Sequence, residues 1–271
     1  MNRIFANLLG LLTPFLSVIF LIYLVYKSRN IYFRIKTFFR EKKMVKNNII
    51  PIVHNNNSTY SSKLFGGNDD MININTHMDF IKKYEKMDKD KDIVIVMHTL
   101  GGALTCAEAI SNCILNHKGK GKIICIVPYY AYSAGCFIAL CCDKIIMSKN
   151  SILGPCDAQK PVGALQTYSI SSILKTINYK ISKNDKIKED WLASSFDAEL
   201  CKTRQSDFLN KIMIHGKMDG VVKDRVYEEF FSGKYNHDKI FSAQDAKEIG
   251  VNIEIIEEIP KDIKDIIEYY M

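Results

Sequence analysis

Between residues 92 and 148 the chain alternates short, continuously apolar runs with longer amphipathic ones. DIVIVMH (92–98), GKIICIVP (121–128) and KIIMS (144–148) are compact and rich in branched side chains, the pattern of strands buried on both faces. ALTCAEAISNCILNH (103–117) and AGCFIALCC (134–142) repeat their apolar positions at helical spacing. Strand, helix, strand, helix, strand with short connections predicts a right-handed parallel α/β arrangement, in which loops at the C-terminal strand ends hold the site. Further helices are predicted near 169–180, 190–214 and 221–231. In SAQDAKEIG (242–250), Ser242 and Asp245 have the spacing of a capping box and Gly250 the place of a C-cap. No internal repeat is present.

The pattern breaks at the N-terminus. Residues 4–26 are apolar and uncharged, a run of 23 long enough as a helix to cross a hydrocarbon core of roughly 30 Å. Pro14 near its middle is tolerated in a membrane helix more readily than in water. The run is longer than the apolar part of a signal peptide and no A-x-A-like cleavage site follows it, so one N-terminal transmembrane helix is predicted. Residues 1–46 carry nine of the 37 basic residues and one of the 30 acidic ones, and all but Arg3 of those nine lie after the apolar run. This places the rest of the chain in the cytoplasm by the positive-inside rule and offers a basic flank to anionic lipid. The body is near neutral, which gives no footprint for nucleic acid. Seven of the eight cysteines fall between Cys106 and Cys156, mostly in apolar runs and with no C-x-x-C pair, as expected for buried free thiols in a reducing compartment. Residues 47–75, rich in Asn, Ser and Gly, read as a linker between the anchor with its flank (1–46) and one folded domain (76–271).

The candidate chemistry sits in two loops at strand ends. In HTLGG (98–102), Gly101 and Gly102 can bring bare N–H groups close to a bound carbonyl, or simply form a tight turn. In AYSAG (131–135), Ser133 stands where a helix begins, with the N–H of Ala134 beside it. A serine there is an N-cap or a nucleophile. Two adjacent loops, one with oxyanion donors and one with a hydroxyl, are what acyl transfer requires. No His, Cys or carboxylate cluster has metal-ligand spacing, and no cofactor motif is present.

MHTLGG, VPYYAYSAGCFIALCCD and LGPCDAQ resemble the phrases of the serine dehydrogenase proteinase family, within the Clp protease and crotonase superfamily. SILK (172–175) and SGKYNHDKIFSAQDAKEIGV (232–251) also fit, so the resemblance covers about residues 76–252. It departs at Leu100, Cys136 and Ala158, where the family has proline, threonine and proline. The resemblance implies a Clp/crotonase-like spiral of ββα units, serine peptidase activity on a peptide or protein substrate, and self-association. The Clp triad places its histidine in the stretch that here holds Ala158, and no histidine lies between His117 and His215. Membrane-bound Ser-Lys peptidases of the superfamily carry a lysine base further along on a helix, which points to Lys175, following Ile173 and Leu174, with Ser171 and Ser172 near it. A lysine serves as a base once desolvation lets it lose its proton. Lys160 and Lys180 are weaker candidates, His237 is an alternative base, and His98 is expected to pack or orient the glycine loop. The expected site is therefore Ser133 and Lys175 with an oxyanion hole from Gly101, Gly102 and Ala134. Two other classes share this sequence pattern: an inactive Clp-like scaffold, and a crotonase-type acyl thioester enzyme, which needs no serine nucleophile.

Overall fold

The computed structural model describes residues 40–54, 71–162 and 166–271. The chain divides into two units, residues 1–47 and 48–271. In the first, residues 40–46 are helical. The apolar run at 4–26 lies outside the described residues, and among the described residues no helix is long and apolar enough to cross a membrane.

The second unit is mixed α/β, built on a five-stranded sheet of β1 (Ile49–Val53), β2 (Ile93–His98), β3 (Ile123–Val127), β5 (Lys144–Ser148) and β10 (Ile253–Ile256), in that order and parallel throughout. The three apolar runs read as strands form β2, β3 and β5. Ile93, Ile95, Val96, Met97, Cys125 and Val127 have no more than residual exposure, as expected where helices cover both faces. The presumed linker departs from expectation: Ile49–Val53 pairs with Val94–His98 as the edge strand. Pro51 obscures this in the sequence, because proline cannot donate to a ladder; at a sheet edge that loss is tolerated.

A smaller sheet lies beyond the strand ends. Its members β4 (Tyr130–Ala131), β6 (Ile152–Leu153) and β9 (Phe241–Ser242) pair parallel between β4 and β6 and antiparallel between β6 and β9. The order β3, β4, then the helix α3 (Ala134–Ala139) is one ββα unit, and the arrangement is consistent with a ClpP-like fold. The helix α1 (Ile74–Glu85) opens on a capping box of Asn73 and Thr76, and α2 (Leu104–Leu115) follows the glycine loop. A hairpin of β7 (Gln159–Val162) and β8 (Gln166–Ser169) leads into α4 (Ile170–Ser182) and α5 (Glu189–Ile214). The chain closes with α6 (Gly220–Val226), α7 (Ala243–Ile249) and α8 (Lys261–Tyr270). The capping box at the start of α7 is present: Ser242 Oγ accepts from Asp245 N at 3.1 Å, Asp245 Oδ2 accepts from Ser242 N at 2.8 Å, and Gly250 ends the helix at φ 110°.

The sequence reads 221–231 as one helix, but Tyr227–Phe231 widens into a π-helical turn, with Ser232 N donating to Tyr227 O at 2.9 Å. The wider turn lets two consecutive aromatics, Phe230 and Phe231, both reach the core at 1% and 2% exposure. Phe231 packs edge-on to Phe137 of α3 at 5.9 Å, and Phe230 O accepts from Cys156 N at 2.7 Å. The π turn thus buttresses both the serine helix and the loop after β6. All eight cysteines are free thiols and all but Cys113 are buried. Burial pushes the Cys113 thiol up to about 11 and Cys141 higher still, which keeps them protonated and unreactive.

Candidate active site

The glycine loop and the serine loop are bound edge to edge where β2 and β3 end. Thr99 N donates to Tyr130 O at 3.4 Å and Tyr132 N donates to Thr99 O at 3.0 Å, forming a one-pair bridge of Thr99 with Ala131. The chain then turns sharply into α3. Gly135 N donates to Tyr132 O at 2.8 Å and Phe137 N to Ser133 O at 2.9 Å. Ser133, at the corner, has φ 48° and ψ −119°, and its side chain makes no capping hydrogen bond. A side chain held in that region costs about 1–3 kcal/mol, so this serine is not where a cap would be placed for stability.

Gly101, at φ 112°, lies directly against the corner: a Cβ there would sit 2.8 Å from Ser133 Cβ and 3.2 Å from Ala134 N. Only glycine permits that approach. Gly102, at φ 153°, would place a Cβ 2.2 Å from Ile72 O. Ile72 binds the loop on both sides, donating its N–H to Gly101 O at 2.8 Å and accepting from Ala103 N at 2.8 Å.

The three expected oxyanion donors separate on this geometry. Gly101 N–H is spent on Thr99 Oγ1 at 3.1 Å, so Gly101 gives close approach rather than a donor. Neither Gly102 N–H nor Ala134 N–H donates to an acceptor among the described residues. Both border one cavity of about 400 Å³ together with Ser133, walled by Leu104, Phe137 and Pro161. A serine and two residues with unspent N–H groups bordering one space are suited to a carbonyl attacked at carbon and polarised at oxygen.

The expected base is not in that cavity. Lys175 is exposed on α4 and borders a separate cavity of about 860 Å³ with Glu199, Lys202 and Asp207. The buried face of α4 is Ile170, Ile173 and Ile177, and Lys175, two residues past Ile173, is turned about 200° away from it. Nor do Ser171 and Ser172 serve it. Ser172 N and Oγ both bond Ser169 Oγ, which caps α4, while Ser171 Cβ lies where a Cβ on Gly233 would be, at 2.5 Å. Lys160 does border the Ser133 cavity, two residues along from Ala158, which also lines it. Its ammonium is 3.8 Å from Asp197. Arg204, which also lines the cavity, donates from Nε to Glu108 Oε2 at 2.9 Å.

His237 has another partner. Its Nδ1 is 2.7 Å from Oδ1 of Asp157, a carboxylate with 1% exposure whose Oδ2 accepts from Gln159 Nε2 at 2.9 Å. Neither His237 nor Asp157 borders the Ser133 cavity, although Cys156 and Ala158 on either side of Asp157 do. His98 packs rather than binds: it is 2% exposed, with its ring 4.1 Å from that of Tyr130 and 5.5 Å from Tyr129, and both nitrogens are unpartnered. Burial, with the neighbouring His54 adding to it, pulls its pKa down to about 4 and keeps it neutral. Beside the serine, Tyr132 is pushed up by burial and then by the charge of Asp238.

The family of ClpP-like SDH-type serine proteinases matches this chain over residues 1–271. The chain belongs to that family. Two uncharacterized proteins of Methanocaldococcus jannaschii are similar to it: MJ0137, 28% identical over 201 residues, and MJ1495, 28% identical over 199 residues. Each match spans 73% of this chain but 65% and 64% of the relatives, so this ClpP-like chain covers less than two thirds of their length.

Three residues that shape the site carry no signal that periodicity could detect: Thr99 and Ile72, which fix the glycine loop, and the buried Asp157. Asp157 stands in the family-like phrase LGPCDAQ, which is the only sequence feature that marks it.

Proposed function

We propose that this chain is a serine peptidase in which Ser133 is the nucleophile and the N–H groups of Gly102 and Ala134 form the oxyanion hole. The observation that carries the reading is the corner conformation of Ser133, strained and without a capping bond, in a cavity it shares with two residues whose N–H groups are unspent. Strain of this kind persists where function requires it. Ser133 Oγ bonds to the substrate carbonyl carbon while the carbonyl electron pair moves to oxygen, where the two N–H groups hold it. The Oγ proton passes to a neutral base and from there to the departing amine as the C–N bond breaks. Water then releases the acyl group by the same steps in reverse order.

For the base we favour Lys160 over Lys175, because Lys160 shares the serine's cavity. A lysine must be neutral to act, so a peptide filling the cavity has to exclude water and loosen the contact with Asp197. In this reading residues 4–26 anchor the enzyme and the basic flank keeps the peptidase unit in the cytoplasm, where copies self-associate. The test is hydrolysis of an unstructured protein such as casein by the detergent-solubilised full chain. Loss of hydrolysis in Ser133→Ala supports the reading; hydrolysis undiminished in that variant refutes it. An absence of hydrolysis in the unmodified chain favours the scaffold alternative.

A further inference from the structure

A buried hydrogen-bond chain reaches the glycine loop from the edge strand. His54, at the end of β1 and 7% exposed, places Nδ1 2.8 Å from Thr99 Oγ1 and Nε2 3.3 Å from Thr76 Oγ1. Thr99 Oγ1 in turn accepts from Gly101 N at 3.1 Å. The hydroxyl proton has two acceptors in reach, His54 Nδ1 at 2.8 Å and Gly101 O at 3.4 Å, and with two lone pairs the oxygen accepts from Gly101 N in either case. His54 N also donates to His98 O at 2.9 Å, which ties the ring's own backbone to the end of β2.

The consequence falls on the next peptide unit. Thr99 fixes the N–H of Gly101, and Ile72 fixes its carbonyl at 2.8 Å. The Gly101 carbonyl and the Gly102 N–H belong to one planar trans peptide and point in opposite directions. Holding the carbonyl toward Ile72 therefore turns the Gly102 N–H away from Ile72, and Gly102 borders the Ser133 cavity. Because both glycines lie at positive φ, where glycine has wide freedom, the plane would be loosely defined without these two bonds.

We infer that His54, acting through Thr99, is a positioning residue for the oxyanion donor Gly102, an inference that rests on the peptidase reading above. It predicts dependence on one ring nitrogen. An asparagine amide can stand in for imidazole Nδ1, whereas a glutamine amide reaches only the Nε2 position. His54→Asn keeps the link to Thr99, and His54→Gln keeps the link to Thr76 but loses the one to Thr99.

The experiment measures labelling of Ser133 in the full-length protein by a fluorophosphonate, separating the limiting rate from the half-saturating concentration. Complete loss of one oxyanion donor costs about 100- to 1000-fold in rate, so a donor that is retained but misaimed is expected to cost about 10- to 100-fold. That loss is expected in His54→Gln and in Thr99→Val, with the half-saturating concentration within about twofold of the parent, while His54→Asn and Thr99→Ser stay within about threefold. The double variant His54→Gln/Thr99→Val should be no slower than Thr99→Val alone, because His54 acts only through the Thr99 hydroxyl. Parent-like labelling in folded His54→Gln or Thr99→Val overturns the inference, as does equal loss in His54→Asn and His54→Gln. Should the His54 variants not fold, Thr99→Val against Thr99→Ser decides alone. If the parent protein is not labelled at Ser133, the peptidase reading fails and the inference with it; Ser133-dependent labelling that ignores these substitutions sinks the inference only.

Discussion

At the scale of single residues, Ser133 is where sequence and geometry part most usefully. From the sequence it could be an N-cap or a nucleophile. In the structure the Ser133 side chain makes no capping bond to the helix, which takes away the support for the cap reading. The stability consequences follow. Ser133→Ala removes no capping bond and should change stability by less than about 0.5 kcal/mol, whereas loss of a true cap costs about 0.5–2 kcal/mol. Ser133→Gly relieves the positive φ and should stabilise the fold by about 1 kcal/mol while abolishing activity. Denaturant melts of both variants check this, and a destabilised Ser133→Gly contradicts it. His98 supplies a second residue-scale prediction. Its folded pKa of about 4 lies below the ordinary histidine value of about 6.5, so between these values the unfolded chain binds a proton that the folded one does not. Stability should fall as pH drops from about 6.5 toward 4, and the part due to His98 should be fully lost below that. His98→Phe should lose less stability than the parent between pH 7 and pH 4.5; equal losses would show that His98 does not contribute.

At the scale of elements, β2, β3 and β5 were legible because a strand covered on both faces must be continuously apolar and these runs alternate with segments of helical period. β1 was hidden by its proline and by the asparagines beside it, although Ile49, Ile50 and Ile52 are as buried as the central strands. The π turn was unreadable because its extra residue leaves no mark in the spacing except the consecutive Phe230 and Phe231. Lys175 shows the limit of spacing taken from a resemblance. A lysine two residues after the buried Ile173 is on the far side of its helix, and only the packing of α4 on its Ile170–Ile173–Ile177 face reveals this. Lys160 was in view but ranked lower, since a hairpin that bends toward the serine cavity has no signature in a short polar strand. The expected outcome is that Lys160→Met abolishes hydrolysis, Lys160→Arg does not restore it because guanidinium stays protonated, and Lys175→Met is nearly as active as the parent. The reverse pattern would return the base to α4. The glycine loop also constrains how it can be tested: a side chain at Gly102 would collide with the Ile72 backbone, so Gly102→Val disturbs the loop before it reports on catalysis.

At the scale of the whole molecule, the parallel sheet fixes the site by aligning two strand ends, and the bridge of Thr99 with Ala131 ties the two loops together. The sequence conveyed this layout because βα alternation leaves few topologies, whereas the wiring inside the site depends on contacts between segments far apart in the chain, such as Ile72 with Gly101 and His54 with Thr99. The charge asymmetry belongs to this scale too. With the excess of basic residues confined to 1–46, protease added outside intact cells should leave the unit at 48–271 uncut, and lysis should expose it. Cleavage without lysis would reverse the topology. The central claim, that Ser133 is the nucleophile of a serine peptidase, is tested most directly by treating the full-length protein with a fluorophosphonate and locating the adduct by peptide mass spectrometry. The account predicts one adduct, on Ser133 Oγ, absent from Ser133→Ala; a folded protein that carries no adduct there, or that is labelled elsewhere with Ser133 unmodified, would contradict it.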